Sequence, residues 1–241
     1  AVAGQLGVEV RGRAQDGFED LRVDRLIDAA LATGADAVHP GYGFLAENES
    51  FAAACRAAGL TFIGPTAEAI SLMGSKTAAR RAAIAAGVPV VPGSDAPFDA
   101  NQSDSVIEAA AASVGYPLLI KAVAGGGGKG MRVVTAAEDL PSSIRAARSE
   151  ARAAFGDPAI YLERRLVRPR HVEVQLLGDL HGNVLPFVER ECSIQRRHQK
   201  VIEETPSPAV SPALRAEITK AAAVVARSVG YTSAGTIEFL L

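Results

Sequence analysis

The chain has 241 residues, enough for one large domain or two smaller ones with a substantial core. Hydrophobic residues make up 48% and charged ones 22%, an ordinary balance for a globular protein. The net charge of −2 supplies no basic field for nucleic acid or an anionic membrane. With no Trp and 5% aromatic residues, base-stacking platforms are also excluded, so neither nucleic acid nor membrane is expected as a partner.

In chain order, the pattern predicts a helix over 21–32, a short buried strand over 35–39, an alanine-rich helix over 49–58 and a second short strand over 60–63, closed by Gly64-Pro65. Strands alternating with helices argue for a parallel α/β arrangement. The turn His39-Pro40-Gly41-Tyr42-Gly43-Phe44 follows the first strand, where open α/β sheets place ligands. Helices are expected over 67–73 and 76–86, the second stopped by Gly87 and Pro89. Residues 91–104, rich in Pro, Gly, Ser and Asp, read as a linker, and a helix over 105–114 follows.

Next comes the most informative stretch of the chain. A strand carrying Lys121 runs into Gly125-Gly126-Gly127-Gly128-Lys129-Gly130 and out into a second apolar run, Met131 to Val134. Thr135-Ala136-Ala137-Glu138 matches a capping box for a helix to about residue 154, with a break possible at Pro141. Strands are expected over 160–166 and 170–177. In the latter, Val172, Val174 and Leu176 share one face while His171, Glu173 and Gln175 share the other. A turn at residues 178–183 returns the chain as a strand over 184–188. Ser211-Pro212 opens a helix ending at Gly230, and the last residues, 236–241, read as a strand around Glu238.

Four consecutive glycines cost backbone entropy and suit a close approach of backbone to a phosphate. Because strands flank them on both sides, the P-loop and dinucleotide-binding readings fail, since both need a helix directly after the glycines. A flap over nucleotide phosphates remains, as does a flexible hairpin with no ligand. The polar run Glu189 to Lys200 is either a solvated edge strand, an interaction patch, or, beside His171, Glu173 and Gln175, the wall of a cleft. Glu238 is either exposed or paired with a cation or metal. The two cysteines lack CxxC spacing and fit a reducing cytoplasm. Cys55 reads as a small core residue, and Cys192 as a thiol with no legible catalytic partner.

Together these motifs resemble the biotin carboxylase family of the ATP-grasp superfamily. The resemblance rests on His39-Pro-Gly-Tyr-Gly-Phe-Leu-Ala-Glu-Asn48, Phe62-Ile-Gly-Pro65, Met73-Gly-Ser-Lys76 and Lys121 with its glycine loop. Pro169-Arg-His-Val-Glu-Val-Gln175, the run Glu189 to Lys200 with its Gln-Arg-Arg-His-Gln-Lys string, and Ala234-Gly-Thr-Ile-Glu-Phe239 complete it. Val201 to Pro208 looks closest to acyl-CoA carboxylase subunits. The resemblance implies an α/β ATP-grasp fold: a partial Rossmann-like N-terminal subdomain over 1–65, a helical linker over 66–90, a β-hairpin-containing lid over 91–165, and an incomplete C-terminal α+β subdomain over 166–241.

It also implies ATP-dependent carboxylation of biotin by bicarbonate, through carboxyphosphate. Carried over by position, Lys76 and Lys121 contact ATP phosphates, and Gly127 and Gly128 close over them. Glu163, Arg164 and Leu166 lie at the adenine hinge, and His171, Gln195 and His198 contact the nucleotide. Lys200 helps hold bicarbonate, Glu238 is one ligand of Mg2+ or Mn2+, and Tyr42 and Glu47 lie toward the biotin and bicarbonate side. Catalytic work would fall to Lys200, His171 and Glu238. Biotin on a carrier domain, a carboxyltransferase subunit and a second copy are the implied partners, in the cytoplasm. The family's opening strand and its Glu-x-Asn-x-Arg segment are missing from this sequence, so the polypeptide alone is expected to bind ATP without carboxylating biotin. Another ATP-grasp ligase, such as a carbamoyl-phosphate synthase, and a non-catalytic nucleotide-binding module are the alternatives.

Overall fold

The computed structural model describes residues 22–41, 43–124, 130–196 and 199–241. Tyr42, Gly127, Gly128 and His198, all singled out above, lie outside the described residues.

Helices α1 (Val23–Ala32) and α2 (Glu49–Ala57) pack with a small parallel sheet of β1 (Ala37–Val38) and β2 (Thr61–Phe62), in which Ala37 pairs with Thr61. Asn48 starts α2 by accepting the Phe51 N–H at 2.8 Å, a side-chain cap on an otherwise orphaned donor. Phe51, Cys55 and Leu60 form the core here, with Phe51 edge-on to Phe62 at 5.8 Å between ring centroids. Cys55 is therefore the small core residue that the sequence suggested. Helices α3 (Ala67–Gly74) and α4 (Lys76–Ala85) follow, capped by Thr66 and Ser75.

A three-stranded antiparallel sheet, β4–β3–β5, comes next: β3 (Leu118–Ala122), β4 (Met131–Val134) and β5 (Ile160–Arg164). Leu118, Ile120 and Ala122 point into a core completed by α5 (Asp104–Val114) and α6 (Leu140–Phe155), while period two turns Lys121 to the opposite face. Two expectations need correction. Pro141 does not break α6 but sits in its first turn, after a 3-10 turn over Ala137–Asp139. A ring with no N–H and a fixed φ is tolerated there and nowhere later, so the helix begins beyond the Thr135–Glu138 box, with Asp139 at its N-cap position. Nor is 91–104 a free linker. The Ser94 N–H reaches Leu162 O at 2.9 Å, and Phe98 exchanges backbone bonds with Ile160 at 2.7 and 3.1 Å. Phe98, 7% exposed, joins the core. Pro92 and Pro97 interrupt the ladder, so the segment pairs as isolated bridges rather than as a strand.

The third sheet runs β10–β6–β8–β9, with β7 also on β6: β6 (His171–Gly178), β7 (Val184–Pro186), β8 (Arg190–Arg196), β9 (Gln199–Glu204) and β10 (Ser233–Leu240). Helix α7 (Pro212–Ser228), capped by Ser211, covers one face through Ile218, Ala222, Ala223 and Ala226 against Val172, Val174 and Leu176. The terminal strand is longer than its 236–241 expectation. Tyr231 packs so tightly at its start that a Cβ on Gly178 would lie 2.3 Å from the Tyr231 carbonyl oxygen, and one on Gly235 2.5 Å from its ring. Among the described residues, no helix is long and apolar enough to cross a membrane.

Candidate functional site

Two clusters of charge are built among the described residues. The first is built on β3, β5 and the start of α4. Lys121 leaves the solvent side of β3 and pairs with Glu163, its diagonal neighbour on β5, while its ammonium lies 5.8 Å from the centre of the Tyr161 ring. Lys76 opens α4 and donates to Val123 O at 3.2 Å, next to the described end of the glycine loop. Burial pushes the Lys76 ammonium down, and the Lys121 charge adds to that, against a weaker opposite pull from Glu163. A lysine at the positive end of a helix and beside a second lysine is in a field that an anion would relieve. The donor set therefore fits a polyphosphate.

Arg164 and Leu166 contribute differently. The Arg164 guanidinium donates to Val114 O at 2.6 Å, and a Cβ on Gly115 would meet its Nη2 at 2.2 Å, so this side chain ties α5 to β5. Leu166 lies half-buried just beyond β5.

The second cluster occupies the face of the third sheet turned away from α7. The register puts Leu240 opposite His171, Glu238 opposite Glu173 and Thr236 opposite Gln175. Glu173 is 1% exposed and Glu238 is 57% exposed. The Arg190 Nε donates to Glu173 at 2.8 Å, and Lys200, reaching in from β9, pairs with Glu173 and donates to Glu238 at 3.3 Å. His171 Nε2 lies 3.5 Å from Glu238, and His171 Nδ1 is buried with no hydrogen-bond partner among the described residues. Gln195 turns its amide onto Cys192 O at 2.8 Å.

The electrostatics follow from burial and pairing. Burial would raise the Glu173 carboxyl, but Lys200 and Arg190 outweigh it and hold the group below the usual carboxylate range. Burial likewise opposes charge on Lys200, and Glu173 with Glu238 reverses it, leaving its pKa raised. The Cys192 thiol, buried beside Glu173, is pushed up to about 11, which removes it as a nucleophile. His171, Glu173 and Cys192 offer ligand atoms within 4.8 Å of one another. Two cations already hold Glu173, and a thiol is too soft a donor for Mg2+, so that trio suits a hard divalent ion poorly. Glu238, an exposed hard oxygen donor beside the cluster, fits Mg2+ better, because Mg2+ commonly takes one or two carboxylates and completes its shell with water and phosphate oxygen.

The described part of the charged run 189–200 is thus buried at its start and a solvated edge strand at its end. Glu189, Glu191 and Cys192 are buried, while all of β9 is exposed. Sequence reasoning gave no role to Arg190 and placed Glu173 only on a cleft wall. The polar alternation of β6 marked Glu173, but nothing local announces that Arg190 and Lys200 converge on it. The charge of Glu47, in the 3-10 turn Phe44–Glu47, adds to burial in raising the Tyr231 phenol, and Thr232 Oγ1 donates to Gly64 O at 3.4 Å. These contacts join the N-terminal strands to the third sheet.

Residues 75–241 match the family described as carbamoyl-phosphate synthase L chain, ATP binding domain, and residues 8–70 match the biotin carboxylase N-terminal domain. The chain is 51% identical over 220 residues to biotin carboxylase of Pseudomonas aeruginosa, covering 91% of this chain and 49% of that protein. It is also 51% identical over 218 residues to the mitochondrial methylcrotonoyl-CoA carboxylase subunit alpha of Dictyostelium discoideum, covering 90% of this chain and 31% of that one. Its fold superposes on the biotin carboxylase–β,γ-ATP complex from Campylobacter jejuni with a TM-score of 0.89 and 44% identity, over 95% of this chain and 51% of that one. The biotin carboxylase domain of the 2-oxoglutarate carboxylase from Hydrogenobacter thermophilus, in complex with MgADP, ADP and bicarbonate, gives a TM-score of 0.84 at 45% identity, over 91% of this chain and 48% of that one. The chain spans about half the length of the biotin carboxylases it matches, or less of longer relatives.

Proposed function

Because the chain belongs to the biotin carboxylase family, we propose that it is the nucleotide-binding part of an enzyme that carboxylates biotin with bicarbonate and ATP, through carboxyphosphate. The observation that carries this reading is the approach of Lys76 and Lys121 beside the glycine loop, a concentration of positive charge suited to phosphates. In this reading Gly127 and Gly128 close over the phosphates, and Glu163, Arg164 and Leu166 border the base. His171, Gln195 and His198 line the nucleotide, Glu238 holds Mg2+ or Mn2+, and Tyr42 and Glu47 face biotin.

Lys200 has the chemistry to hold bicarbonate. Glu173 and Glu238 keep it an ammonium, and its Nζ stands between the buried carboxylate and the exposed one. Bound Mg2+ and the lysines would together offset the charge that builds on the transferred phosphoryl group. The chain's own residues orient the anions and keep Lys200 protonated.

The partners in this reading are a biotin carrier domain, a carboxyltransferase and a second copy, the last supported by the dimer named for the Hydrogenobacter thermophilus domain, and the methylcrotonoyl-CoA carboxylase relative supports an acyl-CoA as final acceptor. Buried, unpaired thiols at Cys55 and Cys192 favour a reducing compartment such as the cytoplasm. The match of residues 8–70 to a biotin carboxylase domain weighs against a carbamoyl-phosphate synthase.

Calorimetric titration with MgATP tests the reading. Lys76→Ala and Lys121→Ala should each weaken binding about tenfold or more, the equivalent of one charge-assisted contact. Unchanged affinity in both overturns the phosphate roles.

A further inference from the structure

Among the described residues, strand β6 pairs with β8 at two positions, Val172 with Glu191 and Glu173 with Arg190. Beyond them the strands part, and the pairing of β8 with β9 slips register between Glu191 and Gln195. The next donor along β6, the His171 N–H, takes a side chain instead of a ladder carbonyl: it donates to Ser193 Oγ at 2.8 Å. Ser193 in turn donates to the Glu191 carboxylate, whose other oxygen accepts from Ser207 Oγ at 2.6 Å. The Ser207 N–H donates to Glu189 at 3.1 Å, and Arg215 grips Glu189 through two N–H groups at 2.6 and 2.7 Å.

Glu189 is fully buried and Glu191 is 3% exposed, positions where an ionised carboxylate is costly to desolvate. A turn needs no such groups. The Glu191 carboxylate lies 3.6 Å from the Arg170 guanidinium, and because it accepts only, the Ser193 proton must point to it and the Ser193 lone pair must face the His171 N–H. The hydroxyl therefore has one orientation, and the point where β6 and β8 diverge is pinned.

We propose that Glu191, acting through Ser193, is a positioning residue that holds the start of β6, and with it His171, in the geometry that binds the nucleotide. The proposal rests on the reading of His171 as a nucleotide-facing residue. The Glu189–Arg215–Ser207 contacts brace Glu191 from behind, and the beneficiary is the His171 ring, set 3.5 Å from Glu238.

The test combines amide hydrogen exchange at His171 with MgATP calorimetry on Ser193→Ala, Ser193→Thr and Glu191→Gln. Losing the acceptor in Ser193→Ala should speed exchange of the His171 amide at least about tenfold and weaken MgATP binding about fivefold or more. Ser193→Thr keeps the hydroxyl and should restore both to within about twofold. Glu191→Gln, whose amide can donate back to Ser193, should fall between them. A core variant on the helix that covers this sheet, Ile218→Val in α7, matched in unfolding midpoint to Ser193→Ala, should bind MgATP as the unsubstituted chain does.

Wild-type exchange at His171 in Ser193→Ala overturns the proposal. So does an affinity loss that Ile218→Val reproduces or that Ser193→Thr fails to repair. If the unsubstituted chain binds no MgATP, the nucleotide reading fails, and with it the functional half of the proposal, while the exchange rates still decide the Glu191–Ser193 contact.

Discussion

Glu238 stands directly opposite Glu173 across the β10–β6 ladder, and Lys200 from β9 contacts both carboxylates. Like charges facing each other on neighbouring strands are destabilising. One ammonium makes the pair tolerable, and the difference in burial divides the labour: Glu173 anchors Lys200 and Glu238 keeps an open side.

Removing Lys200 should therefore expose the repulsion. Lys200→Ala is expected to lower stability by about 1–2 kcal/mol in urea titration, with Lys200→Arg losing less. Under the proposed function, the same change should also abolish bicarbonate-dependent ATP cleavage. Retained cleavage would remove Lys200 from the bicarbonate site.

Acid should act through Glu173. Its folded pKa lies below its unfolded value, so its contribution is present above about pH 4.3 and fades as pH falls through the lower folded value. Glu173→Gln leaves Arg190 and Lys200 without their buried partner and should cost about 3 kcal/mol at neutral pH. That gap between the two proteins should narrow on acidification below about pH 4. Urea midpoints across that range check it, and a gap that widens toward acid would contradict the pairing.

Both thiols should be inert in the native state. Cys55 and Cys192 are buried, and burial raises both thiol pKa values, that of Cys192 to about 11. A disulfide-exchange reagent should label neither until the chain unfolds, and then both. Native labelling of Cys192 at the rate of a free thiol would refute this picture.

Phe98 should behave as a core residue despite its place in a loop. Phe98→Ala is expected to destabilise by about 3 kcal/mol and to speed exchange of the Ile160 amide, which donates to Phe98 O at 3.1 Å.

Much of the architecture was legible because its causes are local. Alternation along β6 predicted which of its residues meet α7. Ser211-Pro212 marked the start of α7, and apolar strands on either side of the glycines marked a hairpin. The errors came where a local signal met a stronger constraint. The Thr135–Glu138 box lost to Pro141, whose ring admits only the first turn of α6. The supposed linker lost to Phe98, whose burial repays pairing with β5 at isolated positions.

What the sequence by itself determined was the inventory: two lysines near a glycine loop, a polar face on β6, a charged run after β7, and the family those motifs belong to. Only tertiary structure decided which of these groups touch. Lys200 lies 27 residues from Glu173 and 38 from Glu238, and Arg215 lies 26 from Glu189. No periodicity reaches that far. Strand register and the packing of α7 set those distances, and burial then settled which carboxylates became anchors and which stayed open to solvent.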